Sequence, residues 1–385
     1  MTREFWVKLE VWHNILWSAY KAGVFRALSA QAPAQGVELQ VVQIAATTRD
    51  RLALSAHDAS LHSYPYELLV DGSYTSVSSW ELIKRVAKRT WRSDADLTML
   101  VEISRIEYWV QLLILRLQGR KVAVFCDSTV YDNAQTFGKG LAKRLFFALC
   151  GNVFCYGQRA EDYVRSFGIK PQNIFRRNQA AALPADYDAE AIVARRVAAG
   201  GETARFVYVG RLSPEKRIGT LIEAFAKALP QMPGAVLRIV GGGPQEAELK
   251  ALAAALGLGP EEVEFPGGQP LASIFEDYLR ATAMVLPSWS EPWGLVVNEA
   301  LHFGCPVIVS ERCGCVPELV EGTASGESFV CEDVDGLAAK LVAAPVRYGD
   351  RAAVARAALD LIAPYNADNA AAAILKGALE IQRRG

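Results

Sequence analysis

Short apolar runs alternate along this chain with stretches whose apolar positions recur every three to four residues, the pattern of buried strands feeding amphipathic helices. In the first half, strands are expected at 5–11, 37–45, 66–70, 97–103, 122–126, 153–156 and 174–175, with helices at 17–30, 80–92, 106–117, 139–149 and 159–167. Such alternation predicts a doubly wound parallel sheet. Residues 46–78 break the rhythm and read as a variable excursion around one short strand. A polar, Ala-rich stretch with Pro184, Tyr187, Gly200 and Gly201 then marks a boundary at 180–203. A second series follows, with strands at 206–209, 236–240, 263–265, 284–286, 307–309 and 328–330, and the chain beyond Gly336 reads as helical to its end. The expectation is an α/β protein of two Rossmann-like parallel-sheet domains, 1–182 and 183–366, with a terminal helix at about 367–385 reaching back to the first.

Length supports that division, because 385 residues exceed what one growing core accommodates. Apolar residues make up 51% of the chain and charged ones 22%, yet no run approaches the length needed to span a bilayer. The opening MTREFWVKLE lacks a signal-peptide pattern, and seven cysteines without paired spacing predict free thiols in a reducing compartment, hence a cytoplasmic protein. Cys313 and Cys315 flank a glycine without a second Cys/His pair, so no metal site is expected. The small net charge of -1 hides a basic first half and an acidic second half. A basic half favours an anionic partner or a membrane surface, and no nucleic acid is expected. In 80–92 the apolar face (Leu82, Ile83, Val86, Ala87) is flanked by Lys84, Arg85, Lys88, Arg89 and Arg92, with Trp80 and Trp91 near its ends. That helix reads as a solvated face or as an interfacial helix for anionic lipid. The aromatics around the first strand, Trp12, Trp17, Tyr20 and Phe25 among them, read as core or as lining for an acceptor.

Chemistry concentrates at 288–304. There a strand gives way to a Pro292-Trp293-Gly294 turn between two carboxylates, Glu291 and Glu299, and a helix opens at Gly294 and ends at Gly304. The first amides of a helix lack intrahelical partners and sit at the positive end of its dipole, so the turn suits a phosphate or diphosphate. Further turns follow earlier strands: Gly210-Arg211 through Lys216, Gly241-Gly242-Gly243-Pro244, and Gly267-Gly268-Gln269-Pro270. In an open α/β sheet these carboxyl-end turns face the ligand, so Arg211 and Lys216 can both address an anion. Alone, Lys216 would equally well pair with Glu215 on the surface. The glycine run allows a close backbone approach, but without the spacing and ribose-binding acid of a dinucleotide site it argues against an NAD enzyme.

The order and spacing of Gly210-Arg211-Leu212 with Lys216, Gly242-Gly243-Pro244, Pro287-Ser288 with Glu291-Pro292 and Gly294, Glu299-Ala300, and Gly304 with Pro306-Val307 resemble family 4 of the retaining glycosyltransferases. The resemblance covers 205–322. It implies the GT-B architecture, two Rossmann-like domains facing a central cleft, with the donor nucleotide held by the second. By that resemblance Arg211 and Lys216 hold the diphosphate of a UDP- or GDP-linked sugar, Glu299 accepts from the ribose hydroxyls, and Glu291 addresses the donor sugar. Gly210, Gly243, Pro292, Trp293, Gly294, Leu295 and Val296 complete the donor contacts, and Gly268 and Gln269 lie where the family reads the base. A retaining, metal-independent hexosyltransferase without a cofactor is implied, acting on a hydroxyl acceptor in envelope polysaccharide or glycolipid synthesis. Two departures stand out. The first-domain histidine of many relatives is absent from VEISRIEYW, leaving Glu102 and His13 as open candidates, and Trp12-His13-Asn14-Ile15 replaces the usual glycine pair after the first strand. A nucleotide-sugar epimerase of the same architecture, or a silent sugar-nucleotide-binding protein, are the alternatives; retention of Arg211, Lys216 and Glu299 argues against the latter.

Overall fold

The computed structural model describes residues 6–16, 18–48, 61–132, 137–177, 179–184, 186–201 and 203–384. Trp17 and residues 49–60 of the expected excursion at 46–78 lie outside the described residues. The chain divides into two compact units, Met1–Ala182 joined by Tyr365–Gly385, and Leu183–Pro364.

Among the described residues of unit 1, seven strands form one sheet: β1 (Val7–Ile15), β2 (Val37–Thr47), β3 (Tyr66–Ser73), β4 (Leu97–Leu100), β5 (Lys121–Cys126), β6 (Asn152–Cys155) and β7 (Ile174–Arg176). Their spatial order is β3-β2-β1-β4-β5-β6-β7, every neighbouring pair parallel. The winding reverses between β1 and β4, which makes their carboxyl ends the edge where a crevice opens. β1 runs four residues past the expected end, because His13 and Ile15 continue the ladder opposite Gln43 and Ala45. β4 stops at Leu100, short of the expected 103. Val11 and Trp12 are adjacent in β1 and enter cores on opposite faces of the sheet, as the two-residue strand period requires. Burial on both faces is why the strands read as continuous apolar runs rather than alternating ones.

The helix Ala367–Arg383 belongs to unit 1, although unit 2 precedes it in sequence. Asn366 caps it by accepting from the Asn369 amide at 2.8 Å, and Lys121 Nζ donates to the carbonyls of Ile381 and Gln382 at its other end. Midway, Gly377 lies against the stacked rings of Phe154 and Phe175; a Cβ there would stand 2.6 Å from Phe154.

Unit 2 repeats the winding with β8 (Arg205–Val209), β9 (Val236–Val240), β10 (Val263–Gly267), β11 (Ala283–Leu286), β12 (Val307–Ser310) and β13 (Gly326–Phe329), in the order β10-β9-β8-β11-β12-β13. All described pairs are parallel, and the reversal lies between β8 and β11. The stretch read as a boundary at 180–203 contains a helix, Ala189–Ala198, that is part of unit 2. The fully buried Arg196 anchors it by donating to the carbonyls of Gly304, Tyr278 and Leu279. Burial pushes that guanidinium down to about 10. Among the described residues no helix is long and apolar enough to cross a membrane.

Candidate functional site

The reversal point of unit 2 gathers the turns singled out in the sequence. After β8 the chain passes through Gly210 and Arg211 into a short turn, Pro214–Lys216, and the helix Ile218–Ala228. After β11 it passes through Ser288 and Glu291 to the helix Leu295–His302, with Gly294 as N-cap at a φ of +99°. Glycine holds that left-handed conformation without the steric penalty a side chain brings. Two contacts join the turns: the Trp289 amide donates to the Glu215 carbonyl at 2.8 Å, and Lys216 Nζ donates to Glu291 Oε2 at 2.5 Å. Both side chains of the ion pair are mostly covered, at 19% and 16% exposure. Lys216 therefore pairs across the reversal point rather than with Glu215, whose Oε1 accepts from Ser213 Oγ at 2.6 Å.

Arg211 is exposed, its backbone carbonyl pinned by the buried Tyr208 hydroxyl at 3.0 Å, and among the described residues its side chain makes no ion pair. The glycine run packs one turn closely against another. A Cβ on Gly241 would lie 1.9 Å from the Gly210 carbonyl oxygen and one on Gly243 2.4 Å from that of Leu212. The close approach of Gly243 is to the neighbouring turn, sealed by the Leu212 amide donating to Gly242 and the Gln245 amide donating to Leu212. Gly242 and Gly268 face open space. Gln269 Nε2 donates to the Pro266 carbonyl at 2.9 Å.

Trp293 is buried to 3% exposure and donates from Nε1 to Asn298 Oδ1 at 2.8 Å, so its ring is core and its backbone is what reaches the turn. Leu295 and Val296 occupy the first helical positions, where amides lack intrahelical acceptors. One turn on, Glu299 accepts from the buried Tyr278 hydroxyl at 3.2 Å. Although partly open to solvent, Glu299 is crowded by protein atoms, and this burial raises its carboxyl to about 7 against the opposing pull of Tyr278.

The Cys313-Gly314-Cys315 segment serves as a strap beneath the Glu291 turn. Glu291 and Cys313 form a parallel bridge, the Gly314 amide donates to the Glu291 carbonyl at 2.9 Å, and the Cys315 amide donates to the Trp293 carbonyl at 3.1 Å. The approach is so close that a Cβ on Gly314 would stand 1.8 Å from the Pro292 oxygen. In the sequence, the position of Gly314 just after β12, at another carboxyl-end turn, is the one signal of this strap. Tyr278 carries no such signal, since nothing local marks a helical tyrosine as the partner of Glu299.

Across this site the strand order and turn chemistry meet a known pattern. Residues 190–344 match the family model of the glycosyl transferases group 1. Among curated proteins, an exopolysaccharide phosphotransferase of Streptomyces coelicolor is 38% identical over 129 residues, 33% of this chain and 13% of that one. A D-inositol 3-phosphate glycosyltransferase of Nocardia farcinica is 35% identical over 122 residues, 30% of this chain and 27% of that one. The chain thus spans well under half the length of these relatives. Over nearly its whole length it superposes on solved structures: an Anabaena protein, HepE, in complex with UDP and glucose (TM-score 0.68, 16% identity, 96% of this chain and 98% of that one). A putative UDP-N-acetylglucosamine 2-epimerase of Listeria monocytogenes is also similar (TM-score 0.64, 15% identity, 97% and 95%). These likenesses show the fold, two Rossmann-like parallel-sheet domains of the GT-B class.

The corresponding edge of unit 1 holds the two open candidates apart. Glu102, just beyond β4, accepts from Asn14 Nδ2 at 3.0 Å and from Ser104 Oγ at 2.7 Å, so it stands at the reversal point. His13 is turned onto Gln43 at 3.1 Å and edge-on to Phe25, and burial, followed by repulsion from Lys21, pushes its imidazole down to about 3. The imidazole, half-buried at the end of β1, is therefore neutral.

Proposed function

We propose that this protein is a retaining, metal-independent glycosyltransferase that moves a hexose-type sugar from a UDP- or GDP-linked donor to a hydroxyl acceptor, without a cofactor. The observation that carries the reading is the Lys216–Glu291 pair at the reversal point of unit 2, beside the open amides of Leu295 and Val296. In this reading Lys216 and Arg211 hold the diphosphate, Glu299 accepts from the ribose hydroxyls, and Glu291 addresses the donor sugar. Breaking the bond from the anomeric carbon to the diphosphate oxygen leaves added negative charge on the leaving group, which fixed cations and helix amides stabilise. The new bond forms to the acceptor oxygen, and the acceptor's proton passes to the departing phosphate. The relatives named for glycosyl transfer and the UDP-bound structural neighbour support this assignment.

The place of action that fits is the cytoplasmic face of a membrane, in envelope polysaccharide or glycolipid synthesis. Trp80 and Trp91 are 64% and 61% exposed on the helix Ser79–Arg92, where Leu82 and Val86 are buried. Leu113 and Leu117 are exposed on the adjoining helix Ile106–Leu117. Apolar side chains beside Lys84, Arg85 and Lys88 suit an anionic lipid surface.

The test is a panel of UDP-, GDP- and ADP-sugars with glycolipid and glycan acceptors, with and without a chelator, followed by nuclear magnetic resonance of the anomeric carbon. Acceptor-dependent release of the nucleoside diphosphate with retained configuration, indifferent to the chelator, is the expected result. Interconversion of a free UDP-sugar without UDP release would establish the epimerase alternative instead.

A further inference from the structure

Unit 1 buries two cations that the donor chemistry does not use. Lys21, in the first turn of the helix Ala19–Gln31, is 7% exposed, and Arg177, directly after β7, is 2% exposed. They converge at the carboxyl ends of the parallel strands. Lys21 Nζ donates to the Tyr156 hydroxyl at 2.8 Å and lies 5.1 Å from the centre of its ring, while the Arg177 guanidinium lies 4.4 Å from the same ring. Both also face Phe125, at 5.8 and 4.7 Å. Tyr156 follows β6, Phe125 is the penultimate residue of β5, and the Arg177 amide is tied to the Cys155 carbonyl at 2.9 Å, so the cluster is held by the sheet.

What the cluster lacks, among the described residues, is a counter-charge in ion-pair contact. Among the described residues neither cation makes an ion pair, and Arg177 Nε and Nη2 are buried without a hydrogen-bond partner. The buried hydroxyl of Ser18, the N-cap of the same helix, is also unpartnered. Burial, and then repulsion from Arg177, pushes the Lys21 ammonium well below its usual range; Asp127, exposed on the loop after β5, opposes this from a distance. Buried charges ordinarily have a partner, and unsatisfied guanidinium donors are costly to keep. A helix N-terminus adds partial positive charge on the same side.

We propose that Lys21, Arg177 and Ser18, at the start of the helix Ala19–Gln31, form a binding site for the phosphate of a phosphomonoester, carried by the acceptor substrate. Two cations and a helix terminus match a dianion better than a single carboxylate charge. The proposal rests on the reading above that the donor's diphosphate is bound by unit 2, and it adds the acceptor's chemical class.

Calorimetry and thermal melts of the full chain test it, using inorganic phosphate, glycerol 3-phosphate, acetate and UDP as separate probes. Inorganic phosphate and glycerol 3-phosphate are expected to bind competitively at one site and raise the melting temperature, with acetate at least tenfold weaker. Lys21→Met and Arg177→Met should each weaken phosphate tenfold or more while leaving UDP affinity within twofold. Because Lys21→Met removes an uncompensated buried charge, it should melt no lower than the wild type without phosphate, an outcome a merely structural lysine would not give. Lys216→Ala should show the converse, losing UDP and keeping phosphate. Wild-type protein indifferent to phosphate, or phosphate binding lost in Lys216→Ala but kept in Lys21→Met, would overturn the assignment. If UDP fails to bind while the phosphate effect still follows Lys21, the donor reading falls and this site stands.

Discussion

Replacing Glu299 by Gln separates what this carboxyl does for binding from what it does to stability. Burial holds the folded carboxyl at about 7, against an ordinary value of 4.5. The folded state therefore keeps a proton that the unfolded chain releases, and stability falls as the pH rises from the ordinary carboxylate range through 7. A gap of that size corresponds to about 3 kcal/mol when fully expressed, and about 2.5 kcal/mol of it develops between pH 5 and pH 8.5. Glu299→Gln, which keeps the shape and carries no charge, escapes this loss. Thermal melts of the unliganded protein should show the variant gaining on the wild type by about 5–10 °C between those two pH values, for a unit of this size. Nucleotide binding should move the opposite way, because a neutral amide is a poorer acceptor for ribose hydroxyls than a carboxylate; a loss of about 1.5–3 kcal/mol in UDP affinity at pH 8.5 is expected by calorimetry. A melting difference that does not change with pH would refute the burial argument, and unchanged UDP affinity would refute the ribose assignment.

Lys216→Ala and Arg211→Ala should each lower turnover by roughly a hundredfold or more, as removal of a charge partner of the leaving group does; steady-state rates equal to wild type would count against the diphosphate assignment. Gly314→Ala forces the strap away from Pro292 and so displaces Glu291, and activity should drop at least tenfold with the melting temperature falling as well. Gly377→Ala drives a methyl group into the Phe154 ring and should cost about 1–3 kcal/mol, read as a lower melting temperature of unit 1 with UDP affinity intact.

The sequence by itself determined the repeating strand–helix rhythm, because a parallel sheet covered on both faces needs apolar runs in every strand. It also marked the turns after β8, β9, β10 and β11, since glycine, proline and paired charges gather where strands end. What it left open were contacts between segments far apart in the chain. The Lys216–Glu291 pair spans 75 positions, and nothing local distinguished it from a surface pair with Glu215. Tyr278 against Glu299, the Gly314 strap beneath Pro292, and Gly377 against Phe154 likewise exist only once the sheets have brought separate turns and helices together. The clearest case is Lys21 with Arg177. In sequence they are two ordinary basic residues of a basic half, expected at the surface. Only the common carboxyl edge of β1, β5, β6 and β7 buries them around one tyrosine, because parallel strands deliver every turn that follows them to the same side.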